Sequence, residues 1–367
     1  MQRNHFKSGI LWLSLLLLSV FASLLLFEVV YRYQLIDTFS GELRSFNPPE
    51  VLEPESDSER LLIMGDSFTA NNSSYASILR FCQERYPVIN AGISGTGIIE
   101  ALITAPRRFQ LTKPKVFIYQ VFVGNDLYNI SYPINWQDLS LVRNLYWFVA
   151  ERLRSLWYLN YRNGQIAYAL RQSDSDNVSS GANSNGAGWL LGPQFSRPQP
   201  VEEFSKEKYT LRDQLMLKAD PWILDKQILI TGDRQADYRF FLDKLGELLS
   251  FCKPDECKGY LLVVPHQAQV DKRYFENMEA LGAKFSGVDE VLSVEYPFLT
   301  HLEGFLADNH LDNIELLNPL SALRQSEQQG RVVYYQNDSH LNHHGNRVLS
   351  RYVLGELGLD PACDLID

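Results

Sequence analysis

Five residues in four short segments carry the groups that an acyl transfer through a serine needs. Ser67, in Gly65-Asp66-Ser67-Phe68, follows the apolar run Leu61-Leu62-Ile63-Met64 and is the candidate nucleophile. His340 is the candidate base that takes its proton, and Asp338 the carboxylate that orients the imidazole and stabilises its cationic form. The developing oxyanion needs hydrogen-bond donors. The candidates are the backbone N–H of Ser67, the N–H of Gly95 in Asn90-Ala91-Gly92-Ile93-Ser94-Gly95, and the side-chain amide of Asn125 in Val123-Gly124-Asn125-Asp126. One such donor is typically worth ~10²–10³ in rate.

Each segment alone also reads as ordinary structure. Ser67 fits a helix N-cap, Asn125 and Asp126 fit a turn, and Gly92, Gly95 and Gly97 fit a flexible loop. Asp338 and His340 fit the cap of a helix beginning near Asn342. Their occurrence together and in this order, the first three at the ends of apolar runs, favours a site.

The four segments resemble the four blocks of the SGNH (GDSL-type) hydrolases over residues 60–357. Gly65-Asp66-Ser67 matches the first block, Asn90 to Gly95 the second, Gly124-Asn125-Asp126 the third, and Asp338, His340, Leu341, Asn342 and Gly345 the fourth. The commonest form of the last block has its Asp three residues before the His, where this chain has Asn337; Asp338 stands two before. That shorter spacing resembles a branch that includes alginate O-acetyltransferase-like proteins. The resemblance implies a three-layer α/β/α sandwich around a doubly wound parallel sheet (flavodoxin-like), with Ser67, His340 and Asp338 catalytic and Gly95, Asn125 and Ser67 forming the oxyanion hole. It implies a serine ester hydrolase of the O-acyl esterase type, acting on an acyl ester such as an O-acylated glycan or lipid. An O-acyltransferase that modifies a cell-envelope or secreted polysaccharide remains open, and would need a membrane partner to deliver acyl groups. A non-catalytic glycan-binding protein on the same fold is the third reading.

No cofactor is expected. Gly92 to Gly97 is glycine-rich, but no Gly-Lys-Ser/Thr follows for a phosphate loop, and the Gly-x-Gly-x-x-Gly order of a dinucleotide turn is absent. His340, His343 and His344 with Asp338 do not make a metal pattern, because adjacent helix-start histidines point apart and no further ligand pattern supports zinc.

The elements that must position these residues follow from hydropathy. Strands are expected at 61–65, 88–91, 116–123, 259–264 and 314–317, and helices at 74–85, 97–110 and 238–251. Val116 to Val123 is apolar but for Gln120, as parallel sheets covered on both faces favour, and the alternation of strand and helix argues for a doubly wound sheet. A large insertion at about 135–235 exceeds any usual connection. It has helical patterns at Leu139 to Leu170 and an aromatic-rich stretch from Trp136 to Tyr168. Ser173 to Gly188 reads as a disordered Ser/Asn/Asp/Gly tract, and the insertion is the candidate for substrate selection.

Ile10 to Val30 is almost wholly apolar and, as a helix, would be ~31 Å long, enough to cross a bilayer. Arg3 and Lys7 precede it, so the positive-inside rule places the N-terminus in the cytoplasm and the catalytic domain outside, periplasmic or extracellular. A cleaved signal peptide ending at Val20-Phe21-Ala22 is the rival; the apolar run continues past it, which favours a retained anchor. The organisation expected is a cytoplasmic stub and anchor (1–32), a linker (33–59) rich in Pro and acidic residues, and an SGNH domain (60–367). Four cysteines fit an exported chain, with Cys252 and Cys257 placed to close a small disulfide and Cys82 and Cys363 either free or paired. The net charge of -10 argues against a nucleic-acid partner, since phosphate contacts need clustered Lys and Arg.

Overall fold

A computed structural model describes residues 2–52, 59–131, 141–163, 200–360 and 363. The Ser173 to Gly188 tract, Trp136 and much of the expected insertion fall outside them. The chain divides into two compact units, Met1–Thr38 with Ser140–Gln194 and Phe39–Leu139 with Phe195–Asp367.

The second unit is built on five strands: β1 (Leu61–Met64), β2 (Val88–Asn90), β3 (Val116–Phe122), β4 (Lys258–Val264) and β5 (Ile314–Leu317). All pair in parallel, in the order β2-β1-β3-β4-β5. Every residue of β1, β2 and β3 is buried, which explains why they read as largely apolar runs, with only Asn90 and Gln120 as polar residues and no polar face to alternate. The strand order reverses between β1 and its two neighbours, and the crevice beyond the carboxyl ends at such a reversal is where parallel α/β sheets bind ligands.

The helices form where their caps and apolar faces say they should. Ser74 caps the helix Tyr75–Cys82 by accepting from Ser77 N, and Gly97 with Glu100 starts the helix Ile98–Thr112. The expected helix at 238–251 begins earlier, as Arg234–Leu249. The residues expected as a linker carry two short helices, Ser40–Phe46 and Pro49–Leu52, and Asn47 between them is not solvent-facing. Its amide donates to Asn90 O at 2.7 Å and its Oδ1 accepts from Asn90 N at 2.8 Å, closing the end of β2. Two disulfides are present. Cys252–Cys257 closes the short loop before β4, and Cys82–Cys363 ties the helix after β1 to the C-terminal tail.

In the first unit, Leu11–Arg32 is long and apolar enough to cross a membrane, with a mean hydropathy of 2.5 and little of it buried. The helical patterns read from Leu139 to Leu170 correspond, among the described residues, to the helix Leu141–Ala150 and to helical residues 154–163.

Candidate active site

The peptide after β1 makes the first half of the site. Gly65 ends the strand, and Asp66 folds the next residues into a tight turn. Its carbonyl accepts from Thr69 N and Ala70 N, while its carboxylate Oδ1 accepts from Phe68 N at 3.0 Å. Ser67 sits on this turn, nearly buried, and caps no helix. Such a turn presents a side chain above the sheet edge rather than into the core.

The second half comes from the far end of the chain. Tyr334 and Leu341 form an antiparallel bridge, Tyr335 N donates to His340 O at 3.1 Å, and the residues between them make a closed loop. Asn342 then caps the helix His343–Glu356, its Oδ1 accepting from Gly345 N at 2.8 Å. Gly345 is required here: a Cβ would stand 2.1 Å from the carbonyl oxygen of Val333. The helix start therefore packs directly on the strand-like residues that carry the loop.

These two halves meet. Ser67 Oγ lies 2.7 Å from His340 Nε2, and His340 Nδ1 lies 2.5 Å from Asp338 Oδ1. Asp338 Oδ1 also accepts from the backbone N of His340 at 3.1 Å, so a carboxylate only two residues away reaches the ring by folding back over its own turn. A carboxylate only accepts, so the Nδ1–H is the donor to Asp338 and Nε2 carries the lone pair facing the Ser67 hydroxyl. Phe68 stacks on the imidazole, with ring centres 4.9 Å apart and planes inclined by 28°, which fixes the ring from its face.

The expected oxyanion groups lie on neighbouring loops. Gly95 follows β2 with φ +72, a left-handed conformation, and a Cβ there would meet nothing within 4 Å; the glycine serves the backbone angle and leaves its surroundings open. Ile93 N donates to Gly65 O at 2.9 Å, which joins this loop to the nucleophile turn. Asn125 follows β3 in a run of turns, and its Nδ2 donates to Asp66 Oδ2 at 3.0 Å. A carboxamide has two N–H donors, so this bond holds the group and leaves the second hydrogen for another acceptor. Asn125 Oδ1 is buried with no hydrogen-bond partner, so the carboxamide is held from its nitrogen side, through Asp66. Asn129, one turn on, donates to Thr96 O at 3.1 Å and ties the Asn125 turn to the Gly95 loop.

No protein-family model matches the chain, and no curated protein matches it.

Several contributors carried no sequence expectation. Asp66 lies inside the first motif, yet its role appears only in three dimensions, as the acceptor for both Phe68 N and Asn125. Gln120 Oε1 accepts from Asp66 N at 3.2 Å and from Thr69 Oγ1 at 3.0 Å; its signal was a lone amide inside the otherwise apolar strand β3. Burial pushes the Asp66 carboxyl up, opposed by its hydrogen bonds from Phe68 and Asn125 and by the charge of His340. Burial likewise pushes Asp126 well up, with the neighbouring Asp66 charge adding to it.

A second set of contacts comes from residues 206–213, on the return limb of the expected insertion. Thr210 N donates to Asn337 O at 3.0 Å, and Asn337 Nδ2 donates to Lys208 O at 3.2 Å. Asp213 Oδ2 accepts from Ser339 Oγ at 3.0 Å and from Thr210 Oγ1 at 2.8 Å. The loop that carries Asp338 and His340 is thus strapped on both sides of Asp338. No local pattern announces such a contact, because its partners lie more than a hundred residues apart. His343 and His344 do not join the site: His344 Nε2 pairs with Ser326 Oγ at 2.8 Å. Among the described residues no group of three or more His, Cys, Asp or Glu is placed to hold a metal ion.

Proposed function

We propose that the protein is a serine ester hydrolase of the SGNH type, anchored by its N-terminal helix with the catalytic unit outside the cytoplasm. The observation that carries this reading is the continuous chain Ser67 Oγ–His340 Nε2 at 2.7 Å and His340 Nδ1–Asp338 Oδ1 at 2.5 Å. It lies beside the strand-order reversal of a parallel sheet. The order β2-β1-β3-β4-β5 is the one the flavodoxin-like sandwich of that family would have, and supports assigning the fold to it.

In this mechanism His340 Nε2 takes the Ser67 proton as Oγ attacks the ester carbonyl carbon. The electron pair moves to the carbonyl oxygen, which the N–H groups of Ser67 and Gly95 and the free amide hydrogen of Asn125 receive. Collapse breaks the C–O bond, and the leaving alcohol takes the proton from His340. Water, deprotonated by His340, then attacks the acyl-serine and releases the acid and Ser67. Asp338 stabilises the imidazolium in both halves without being protonated.

A second reading, O-acyl transfer, is favoured by the Asp338-x-His340 spacing. There a glycan hydroxyl replaces water in the last step, and a membrane partner supplies the acyl group. The test is hydrolysis of p-nitrophenyl acetate and butyrate by the full chain in detergent, beside Ser67→Ala. Turnover lost in the variant is expected. Turnover that survives it would remove Ser67 from the mechanism. An acyl group retained on an added polysaccharide in excess of free acid would select transfer over hydrolysis.

A further inference from the structure

The first unit carries chemistry that the ester-hydrolase reading leaves unused. Glu28 lies within the apolar helix, one turn from its Arg32 end, and is nearly buried. A carboxylate there is costly unless satisfied. It is satisfied by residues far along the chain: Glu28 Oε1 accepts from Arg154 N at 3.1 Å and Oε2 from Ser155 N at 2.8 Å, while Arg32 pairs with the same carboxylate. These two amides belong to the start of the helical residues 154–163, whose unsatisfied N–H groups suit a negative partner. Arg32 Nη2 also donates to Arg152 O at 2.9 Å, and Tyr158 packs on Tyr31 with ring centres 5.2 Å apart. Residues 152–158 are therefore docked on the last turns of the anchor helix.

The level of that docking follows from helix geometry. About 20 residues fill the ~30 Å hydrocarbon core. Starting at Leu11, that thickness ends near Val30, so Glu28 sits about half a turn inside the boundary and Arg32 just beyond it. The docked segment is thus held where the acyl chains give way to headgroups. Its composition fits that layer. Residues 141–163 hold Arg143, Arg152, Arg154 and Arg162 against the single acid Glu151, in a chain whose net charge is -10. The same stretch holds six aromatics, including Trp157, Tyr158 and Tyr161. Tyr and Trp favour the interface because one end of each is apolar and the other wet. Leu145 (62 % exposed), Phe148 (56 %) and Leu159 (45 %) present large apolar side chains outward from this segment.

We propose that residues 141–163 form an interfacial collar around the outer end of the anchor. The collar would bury Leu145, Phe148 and Leu159 in the headgroup and upper acyl layer of a phospholipid bilayer, with the exposed Arg152 at the level of the lipid phosphates. The occupant of this surface is lipid, because the surface is continuous with a helix long and apolar enough to span and presents the large apolar side chains of Leu145, Phe148 and Leu159 together with the exposed Arg152. The proposal does not depend on the catalytic reading.

The test uses the full chain in phosphatidylcholine/phosphatidylglycerol nanodiscs. All four cysteines are in disulfides, so a single introduced cysteine is the only thiol to label. Spin labels go at Leu145→Cys, Phe148→Cys and Leu159→Cys, with Leu16→Cys in the apolar helix and Val294→Cys, exposed on the other unit, as references. The collar predicts collision with oxygen favoured over a water-soluble nickel chelate at all three positions, several-fold above Val294 and below Leu16. Labels at 145, 148 and 159 that match Val294, while Leu16 reads as bilayer interior, overturn it. A Leu16 label that reads as water overturns it together with the anchor. Dipolar broadening that disappears on dilution with unlabelled protein would make the occupant a second copy of the chain and also overturn it. Glu28→Ala should raise label mobility at position 159; unchanged mobility would count against the docking.

Discussion

Asp66 is the most informative residue to change, because its carboxylate holds two parts of the site at once. Oδ1 accepts from Phe68 N and Oδ2 from Asn125 Nδ2, each at 3.0 Å. The Asn125 carboxamide has no partner on its oxygen, so Asp66→Ala removes the side-chain hydrogen bond that orients it. If Asn125 supplies one oxyanion donor, removing it costs about 10²–10³ in kcat, or roughly 2.7–4 kcal/mol of transition-state stabilisation. Asp66→Ala should therefore approach, and not exceed, the loss seen in Asn125→Ala. The double variant should lose little more than Asn125→Ala alone, since both changes disable the same donor. KM should move less than kcat, because the interaction matters most in the transition state. The same variant leaves Phe68 N without its acceptor, at a cost to folding of about 1–3 kcal/mol, so a denaturation midpoint must accompany the kinetics. The assay is p-nitrophenyl acetate hydrolysis across the four members of the cycle. Multiplicative losses in the double variant, or full activity in Asp66→Ala beside a deficient Asn125→Ala, would refute the argument that Asp66 acts through Asn125.

The remaining predictions concern the surroundings of the site. Burial pushes the His266 imidazole down to about 3, so below its ordinary value the unfolded chain binds a proton that the fold does not. Stability from this group is present above pH 6.5 and is lost as pH falls towards 3, by about 2 kcal/mol at pH 5. His266→Asn keeps an acceptor for Ala268 N, and urea midpoints at pH 7 and pH 5 should converge in it; an unchanged gap between the two would exclude His266 as the cause. The Cys82–Cys363 bond closes a loop with a sequence separation of 281. Chain entropy then sets the upper scale of its contribution at about 5–6 kcal/mol, so Cys363→Ser should lower the denaturation midpoint strongly, and an unchanged midpoint would show that the tail contributes nothing. Asp213→Ala releases Ser339 and Thr210 and should lower kcat by up to about 10²-fold through a displaced Asp338–His340 loop, with KM little altered; unchanged kcat would show that the loop holds its own shape.

Most of the sheet was legible because β1 to β3 are buried along their whole length and are apolar almost throughout: Val116 to Phe122, interrupted only by Gln120, stands within a residue of where hydropathy places it, and so does the edge strand Ile314 to Leu317 despite its exposed Glu315. Local chemistry was legible too, since Ser67, Asn125 and His340 lie at strand ends or beside a helix cap, where short motifs and breaks in hydropathy coincide. What was not legible depends on distant partners. Asn47 looks like part of a proline-rich tether, yet its amide completes the end of β2 through Asn90. Asp213 looks like an ordinary surface acid near a helix start, yet it accepts from Ser339 beside Asp338. Glu28 looks like an interruption in an apolar run until the amides of Arg154 and Ser155 arrive to satisfy it. In each case the residue type gives the capacity to bond, and only the folded chain supplies the partner.

The central claim is that Ser67 is a nucleophile activated by His340. It is tested most directly by covalent capture: the full chain is treated with a fluorophosphonate, and the modified peptide is mapped by mass spectrometry. The account predicts a single adduct on Ser67 that forms at least 10²-fold more slowly in His340→Ala, where the base is gone. An adduct on another residue, or labelling of Ser67 at the same rate without His340, would contradict it.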